Sequence, residues 1–427
     1  MKVYLDTLGC RLNESEIEQI GRTFRRIGHD LTKEAEDADL CVINTCAVTN
    51  EAGRKSRQMI HQAHRKAPHA GIIVTGCYSE IEKQKVAELP GVRHIIGNLD
   101  KEKLAYLVMG VEPEPFDEEP IARDLKPGDL RRTRAYVKVQ DGCNNKCAFC
   151  VTQIARGEER SRPLAEILSE IRGFLKLGYK EIVLTGVHLG AYGRDQRDAN
   201  LDLKDLLQAI LDQTATPRLR LSSLEPWDLP PRFFDLWQDP RLCRYLHLPL
   251  QSGCDQTLKR MLRRTRKQTF REIVAEARAS IPDLALCTDM IVGFPGETDA
   301  EFNETTEFVQ EIDFCHLHVF RYSPRPQTRA ATLPDQIDHD TKTQRSELLQ
   351  SLSLQGRQRF HQNQIGSVAP VLWEQSLDQD DFGTLWQGLT DHYIRVQTRV
   401  PRDLYNQILD VQLLSPLNDE IMTAQLR

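Results

Sequence analysis

No stretch of about 18 apolar residues occurs in the 427-residue sequence, so nothing in it reads as a membrane-spanning helix. The opening residues, Met1-Lys2-Val3-Tyr4-Leu5-Asp6, also lack the apolar run of a signal peptide, and the expectation is a soluble, cytoplasmic protein. Positive charge is not in excess: 56 Lys and Arg face 62 Asp and Glu, a net −6, so no global basic field advertises a nucleic-acid partner. Low-complexity tracts and sequence repeats are missing as well. Cysteine is too sparse, and with 11 residues odd in number, for a disulfide scaffold. In a reducing compartment, however, clustered thiols are more often ligands or catalytic groups. The remaining composition, 40% apolar and 28% charged, is that of a globular chain, and roughly 150 residues per domain gives about three domains.

Short β-type runs at residues 2–8, 39–44 and 71–75 alternate with helical patterns at 15–27 and 52–66, which is βαβ grammar for a parallel sheet. Residues 111–130 bring 4 prolines, 7 acids and little periodicity, the composition of a linker. Six further strand-like runs follow, at 135–140, 181–185, 218–222, 245–250, 284–292 and 314–320, each gap leaving room for a helix. Six βα units are too few for an eight-stranded barrel, and a partial (βα)6 barrel is expected. After a polar helix at 340–364, short strands separated by Gly, Pro and Asp predict a small C-terminal β-barrel. The fold class is therefore α/β, divided into residues 1–110, a linker at 111–130, a catalytic barrel at 131–364 and a β-barrel at 365–427.

The sharpest chemical signal is Cys143-Asn-Asn-Lys-Cys147-Ala-Phe-Cys150, on the loop after the first barrel strand. Three thiolates on one short loop can hold three irons of a [4Fe-4S] cubane and leave the fourth open for a substrate or cofactor. Zinc is the alternative, but no further Cys or His follows at a compact spacing. Barrel chemistry lies on loops after strand C-termini, where this loop sits. A second set, Cys10, Cys46 and Cys77, follows three successive strands of the N-terminal sheet. Parallel strands end on one edge, so these residues can converge on a second cluster; independent buried thiols are the alternative. Cys41, Cys287 and Cys315 lie inside apolar runs and read as core; Cys254 follows Gln251-Ser252-Gly253 and is expected near the cavity, while Cys243 carries no argument.

The motif Cys143, Cys147, Cys150 with Phe149 before the last matches the radical S-adenosylmethionine signature. Thr7-Leu8-Gly9-Cys10, Asn44-Thr45-Cys46-Ala47-Val48-Thr49, Gly76-Cys77, Asp141-Gly142-Cys143-Asn144, Arg156-Gly157 with Arg160-Ser161-Arg162, His247-Leu248-Pro249-Leu250-Gln251-Ser252-Gly253 and Gly293-Phe294-Pro295-Gly296-Glu297-Thr298 resemble the methylthiotransferase family across nearly the whole chain. Residues 44–49 and Thr185-Gly186-Val187-His188-Leu189-Gly190-Ala191-Tyr192-Gly193 are most similar to the branch acting on threonylcarbamoyladenosine in tRNA. The resemblance implies a TRAM-like C-terminal barrel, two [4Fe-4S] clusters and S-adenosylmethionine, with Cys143, Cys147 and Cys150 catalytic and Cys10, Cys46 and Cys77 carrying the transferred sulfur. It also implies Gly186 as a backbone cradle for the cofactor's methionine part, and Ser223, Glu225 and Gln251 as candidates for its nucleoside part, with loop capping as the alternative for these strand-end residues.

Partners implied by the resemblance are a tRNA anticodon loop, an electron donor and a sulfur source, with no membrane. The alternatives are isopentenyladenosine in tRNA, an aspartate of a small-subunit ribosomal protein, or a non-catalytic iron-sulfur protein. Cations gather at Arg131, Arg132 and Arg134, at Arg156, Arg160 and Arg162, and at Lys259, Arg260, Arg263, Arg264, Arg266 and Lys267. Each group reads as RNA contact or as a solvated face. Residues 365–427 depart from what an RNA-gripping barrel should be, with 4 cations against 9 acids; Arg395, Arg399 and Arg402 are its only candidate strip.

Overall fold

The computed structural model describes residues 1–112, 133–196 and 201–427. The linker reading beyond Glu112, and Arg131 and Arg132, lie outside the described residues.

Five parallel strands form the first sheet: β1 (Lys2–Thr7), β2 (Asp30–Thr32), β3 (Leu40–Thr45), β4 (Gly71–Gly76) and β5 (Val92–Ile95), in the order β2-β1-β3-β4-β5. β3 and β4 are buried throughout, as expected of strands covered on both faces, and read as near-continuous apolar runs. Register fixes their ends: Thr7 lies beside Asn44, and Thr45 beside Gly76. Cys10, Cys46 and Cys77 therefore leave the sheet at one edge.

The helix Arg11–Arg26 buries Leu12, Ile17, Ile20 and Phe24, but also Ser15, Glu16 and Glu18. Its polar face is covered because it packs on the next sheet, where Ser15 Oγ donates to the Tyr136 carbonyl at 3.0 Å.

That next sheet begins with β6 (Arg134–Asp141), short β7 (Arg160–Ser161), β8 (Glu181–Gly186) and β9 (Arg218–Leu221), ordered β7-β6-β8-β9. A second set, β10 (Tyr245–His247), β11 (Ala285–Val292) and β12 (His316–Arg321), continues it through parallel bridges Leu219 to Leu242 and Ser223 to His247. Apart from β7, the strands are parallel, each followed by helical chain, so the expected six-stranded partial barrel is present. Its core includes Val137, Leu184, Leu221, Leu246, Leu286 and Leu317.

The last body is a closed antiparallel-rich barrel of β13 (Val368–Asp380), β14 (Gly383–Thr390), β15 (Arg395–Val400), β16 (Ile408–Pro416) and β17 (Ile421–Leu426), around Trp373, Val396, Leu413 and Met422. It docks through buried arginines of β9. Arg218 donates to the Leu389 carbonyl at 3.1 Å, and Arg220 to the Thr390 and Asp391 carbonyls at 3.1 and 2.9 Å. Glu181, fully buried, neutralises both. Burial disfavours its charge, but Arg218 and Arg220 hold its pKa well below the usual carboxylate range. A depressed carboxylate pKa stabilises the fold above the unfolded value of about 4.3, and that contribution fades as acid lowers the pH below it. Glu181→Ala leaves two buried guanidinium groups uncompensated, and an urea titration of the cluster-free protein should register a loss of about 3–5 kcal/mol.

Candidate active site

β6 delivers the loop that carries Cys143, Cys147 and Cys150. The turn requires Gly142, whose φ is +70° and where a Cβ would stand 1.8 Å from the Glu158 carbonyl oxygen. The loop is pinned from behind: Ala148 N–H donates to Met261 O at 2.9 Å and Ala330 N–H to Ala148 O at 2.8 Å. Its three cysteines are all partly exposed. Backbone N–H groups of Asn145 and Thr152 approach Cys143 Sγ and Cys150 Sγ at 3.4 Å, and Arg263 Nη1 lies 3.8 Å from Cys147 Sγ. Burial pushes the Cys147 thiol up to about 11, against the opposing pull of Arg263. Three soft donors on one loop, with hydrogen-bond donors waiting at the sulfurs, suit an iron-sulfur cluster.

A competing metal group is present, since Cys143, Glu159 and His188 offer ligand atoms within 4.8 Å of one another. His188, however, is engaged at both nitrogens, with Glu159 Oε1 at 2.9 Å and Asp228 Oδ2 at 2.5 Å. Burial opposes its charge, yet Asp228 and Cys143 raise its pKa to about 10. Both ring nitrogens are therefore committed to carboxylates, which leaves the three loop thiols as the donor set most open to a cluster.

The second cysteine set meets at the sheet edge. Gly9, at φ +131°, lets the chain after β1 pass so close that a Cβ there would come within 3.2 Å of Cys46 Sγ. Burial pushes the Cys46 thiol up to about 11, and charge on Cys10 or Cys77 would push it further, so the three sulfurs sense one another. Arg156 Nε donates to Cys77 Sγ at 3.3 Å. Three thiols and a cation, at the end of three adjacent strands, could hold a second cluster.

A cavity of about 160 Å³ is lined in part by Val48 and Thr49, just after Cys46, by Phe149, just before Cys150, and by Gln251, Asp289 and Phe320 from the barrel. Gln251 takes a positive φ of +75°, with its backbone bridged to β11 and its side chain on the cavity. Gly186 ends β8 beside Gln140 of β6. Ser223 Oγ meets His247 Nδ1 at 2.6 Å, and His247 Nε2 meets Asp289 Oδ1 at 3.0 Å. Glu225 is gripped by Arg263 at 2.6 Å, which also stacks over Trp227, so its carboxylate already has a partner.

Several cations have tasks other than the RNA contact expected of them. Arg156 and Arg263 are 3% and 5% exposed. Arg260 and Lys267 pair with Glu301 and Glu304, Arg162 pairs with Glu170, and Arg134 with Glu374 of the C-terminal barrel. Arg399 is paired with Asp378 and Asp380, and Arg395 is 3.7 Å from Glu420. Arg264, with a side chain 63% exposed, keeps a solvent face. Cys254 is buried rather than open to the cavity. Asp228 and Asp289 have no part in the sequence reading, and His188 only a place in the motif at 185–193; the one available signal was position, His188 and Asp228 after strand ends and Asp289 within β11.

Two family descriptions match the chain: Uncharacterized protein family UPF0004 over residues 2–97 and the Radical SAM superfamily over residues 137–309. The chain is 36% identical over 422 residues, 96% of its length and 93% of the relative's, to the threonylcarbamoyladenosine tRNA methylthiotransferase MtaB of Bacillus subtilis. It is 35% identical, over 87% and 86% of the two chains, to the protein of the same name in Thermotoga maritima. It is 32% identical, over 96% of each, to the tRNA-2-methylthio-N(6)-dimethylallyladenosine synthase of Neisseria gonorrhoeae. Among solved structures it resembles the radical S-adenosylmethionine methyltransferase TsrM of Kitasatospora setae, at a TM-score of 0.56 and 15% identity over 89% and 79% of the chains, a likeness of fold.

Proposed function

The chain belongs to the radical S-adenosylmethionine methylthiotransferase family, and from that premise we propose that it adds a methylthio group to carbon 2 of N6-threonylcarbamoyladenosine next to the anticodon of tRNA. Membership makes it a transferase of the radical class, with a [4Fe-4S] cluster and S-adenosylmethionine as cofactors. The finer assignment is that Cys143, Cys147 and Cys150 hold that cluster and Cys10, Cys46 and Cys77 hold a second. When bound, these groups supply a 5′-deoxyadenosyl radical on one side and the sulfur on the other.

The observation that carries the reading is the cavity bordered both by Val48 and Thr49, the residues that follow Cys46, and by Phe149, which precedes Cys150. A reaction that takes hydrogen from a carbon and returns sulfur to it needs both sites against one atom. Gly186 offers backbone at the end of β8, Gln251 and Ser223 offer polar side chains at the ends of later strands, and Arg263 keeps Glu225 fixed beside Cys147. Phe149 and Phe320 supply the apolar wall that keeps water from the reacting carbon. An adenine attacked at carbon 2 must be unstacked, which suits an anticodon-loop nucleotide and an exposed aromatic such as Phe320, 39% accessible.

The same reading divides the chain into residues 1–110 for the second cluster, 131–364 for the radical chemistry and 365–427 for a TRAM-like barrel. The acidity of that barrel has a structural use, since Glu374 and Asp391 face Arg134 and Arg244 of the partial barrel. An electron donor and a sulfur source complete the partner set. We place its work on tRNA in the cytoplasm; among the described residues no helix is long and apolar enough to cross a membrane.

The threonylcarbamoyl branch is supported by relatives at 36% and 35% identity, against 32% for the dimethylallyladenosine enzyme. Reconstituted enzyme given anticodon stem-loops with either modified adenosine should methylthiolate the threonylcarbamoyl substrate at least about tenfold faster, a difference of roughly 1.4 kcal/mol in transition-state binding. Product from the isopentenyl substrate alone, or from a ribosomal-protein aspartate, overturns the assignment.

A further inference from the structure

Arg156 ends the short helix Thr152–Arg156, six residues beyond Cys150, and its guanidinium is buried between the first sheet and the partial barrel. Nη1 donates to Glu16 Oε1 at 2.8 Å and to Asp141 Oδ1 at 3.0 Å; Nη2 donates to Asn13 Oδ1 at 2.8 Å and to Glu16 Oε2 at 3.3 Å. Nε, the remaining side, points to Cys77 Sγ at 3.3 Å. All the partners belong to the chemistry of one region. Asp141 is two residues before Cys143, Asn13 is three after Cys10 and its own amide donates to Leu8 O at 2.7 Å, and Cys77 is itself one of the second cysteine set. Glu16 is fixed independently by Lys101 Nζ at 2.7 Å. A planar fork with five donors can satisfy such a ring of acceptors, whereas an ammonium cannot reach them together.

We propose that Arg156 is a positioning residue for the second cluster, donating to the Cys77 thiolate and thereby raising that cluster's reduction potential while locking it to the loop of Cys143, Cys147 and Cys150. The inference rests on the two-cluster reading above. Its physical basis is that a cationic hydrogen bond to a ligand sulfur withdraws electron density and favours the more negative, reduced state. The carboxylates of Glu16 and Asp141 offset part of the cation's charge at Nη1 and Nη2, but they leave the Nε–H aimed at the sulfur. One side chain would thus hold the Cys77 ligand in place and tune the readiness of the second cluster to accept an electron.

The test uses the full chain with Cys143, Cys147 and Cys150 all replaced by Ala, so that only the second site loads, and follows its reduction by electron paramagnetic resonance during a redox titration. Adding Arg156→Met should retain iron and make the oxidised-to-reduced ratio at a fixed potential at least tenfold larger, a shift of 59 mV to more negative potential for one electron. Arg156→Lys, which keeps the cation but not the fork, should shift in the same direction by less, and it serves if the Met variant does not fold. An unchanged midpoint in a variant that retains its iron overturns the role of Arg156. Absence of iron from the parent with Arg156 intact overturns the two-cluster reading, and the inference with it.

Discussion

Cys147→Ala protein, reconstituted with iron and sulfide, should form no detectable 5′-deoxyadenosine while iron falls from about eight to about four atoms per chain. The middle thiol of the loop has no substitute nearby. His188 is held by two carboxylates, and Glu225 is held by Arg263. The substitution itself is mild, because the loop is anchored by the backbone bonds of Ala148 to Met261 and Ala330 rather than by the thiol. Arg263, which loses its 3.8 Å contact with Cys147, keeps Glu225, the Pro249 carbonyl and the Trp227 ring. The remaining iron should show the spectrum of the second site alone. Retention of deoxyadenosine formation would remove this loop from the radical chemistry.

Cys46→Ala should give the converse: deoxyadenosine at most of the parent rate, and methylthiolated product below detection. Backbone geometry at this position does not depend on sulfur. Ser56 Oγ accepts from Cys46 N–H and donates to Cys46 O, both at 3.1 Å, so Ala can occupy the same turn. What disappears is one of three ligands at the edge of the first sheet, and with it the sulfur to be transferred. The pair of variants separates the two sites only if each loses its own function. Loss of both activities from a folded Cys46→Ala protein would contradict the division of labour.

The cysteine arrangement was legible because period and strand grammar are local properties. Alternating βα segments place strand C-termini on one edge, and the positions of Cys10, Cys46 and Cys77 just after three strands follow from that geometry alone. The six barrel strands were legible for the same reason, but their division into two sheets joined by single bridges at Leu219 and Ser223 depends on packing between distant segments. Arg156, read as RNA contact or solvated face, is neither, being 3% exposed. Its neighbours Arg160 and Arg162 suggest a basic surface, while its partners Asn13, Glu16 and Cys77 lie 79 or more positions away. Glu16 lies in the helical run at 15–27, whose periodicity carries no sign that a second sheet covers its polar face. The acidic C-terminal barrel gave a contrary signal about RNA because net charge cannot tell interface acids such as Glu374 and Asp391 from exposed ones.

The central claim is that this protein methylthiolates threonylcarbamoyladenosine in tRNA. Mass spectrometry of nucleosides from total tRNA of a deletion strain addresses it without reconstitution. The account predicts that 2-methylthio-N6-threonylcarbamoyladenosine disappears, that its unmethylthiolated precursor accumulates, and that the isopentenyl series is unchanged. An undiminished level of 2-methylthio-N6-threonylcarbamoyladenosine would contradict it.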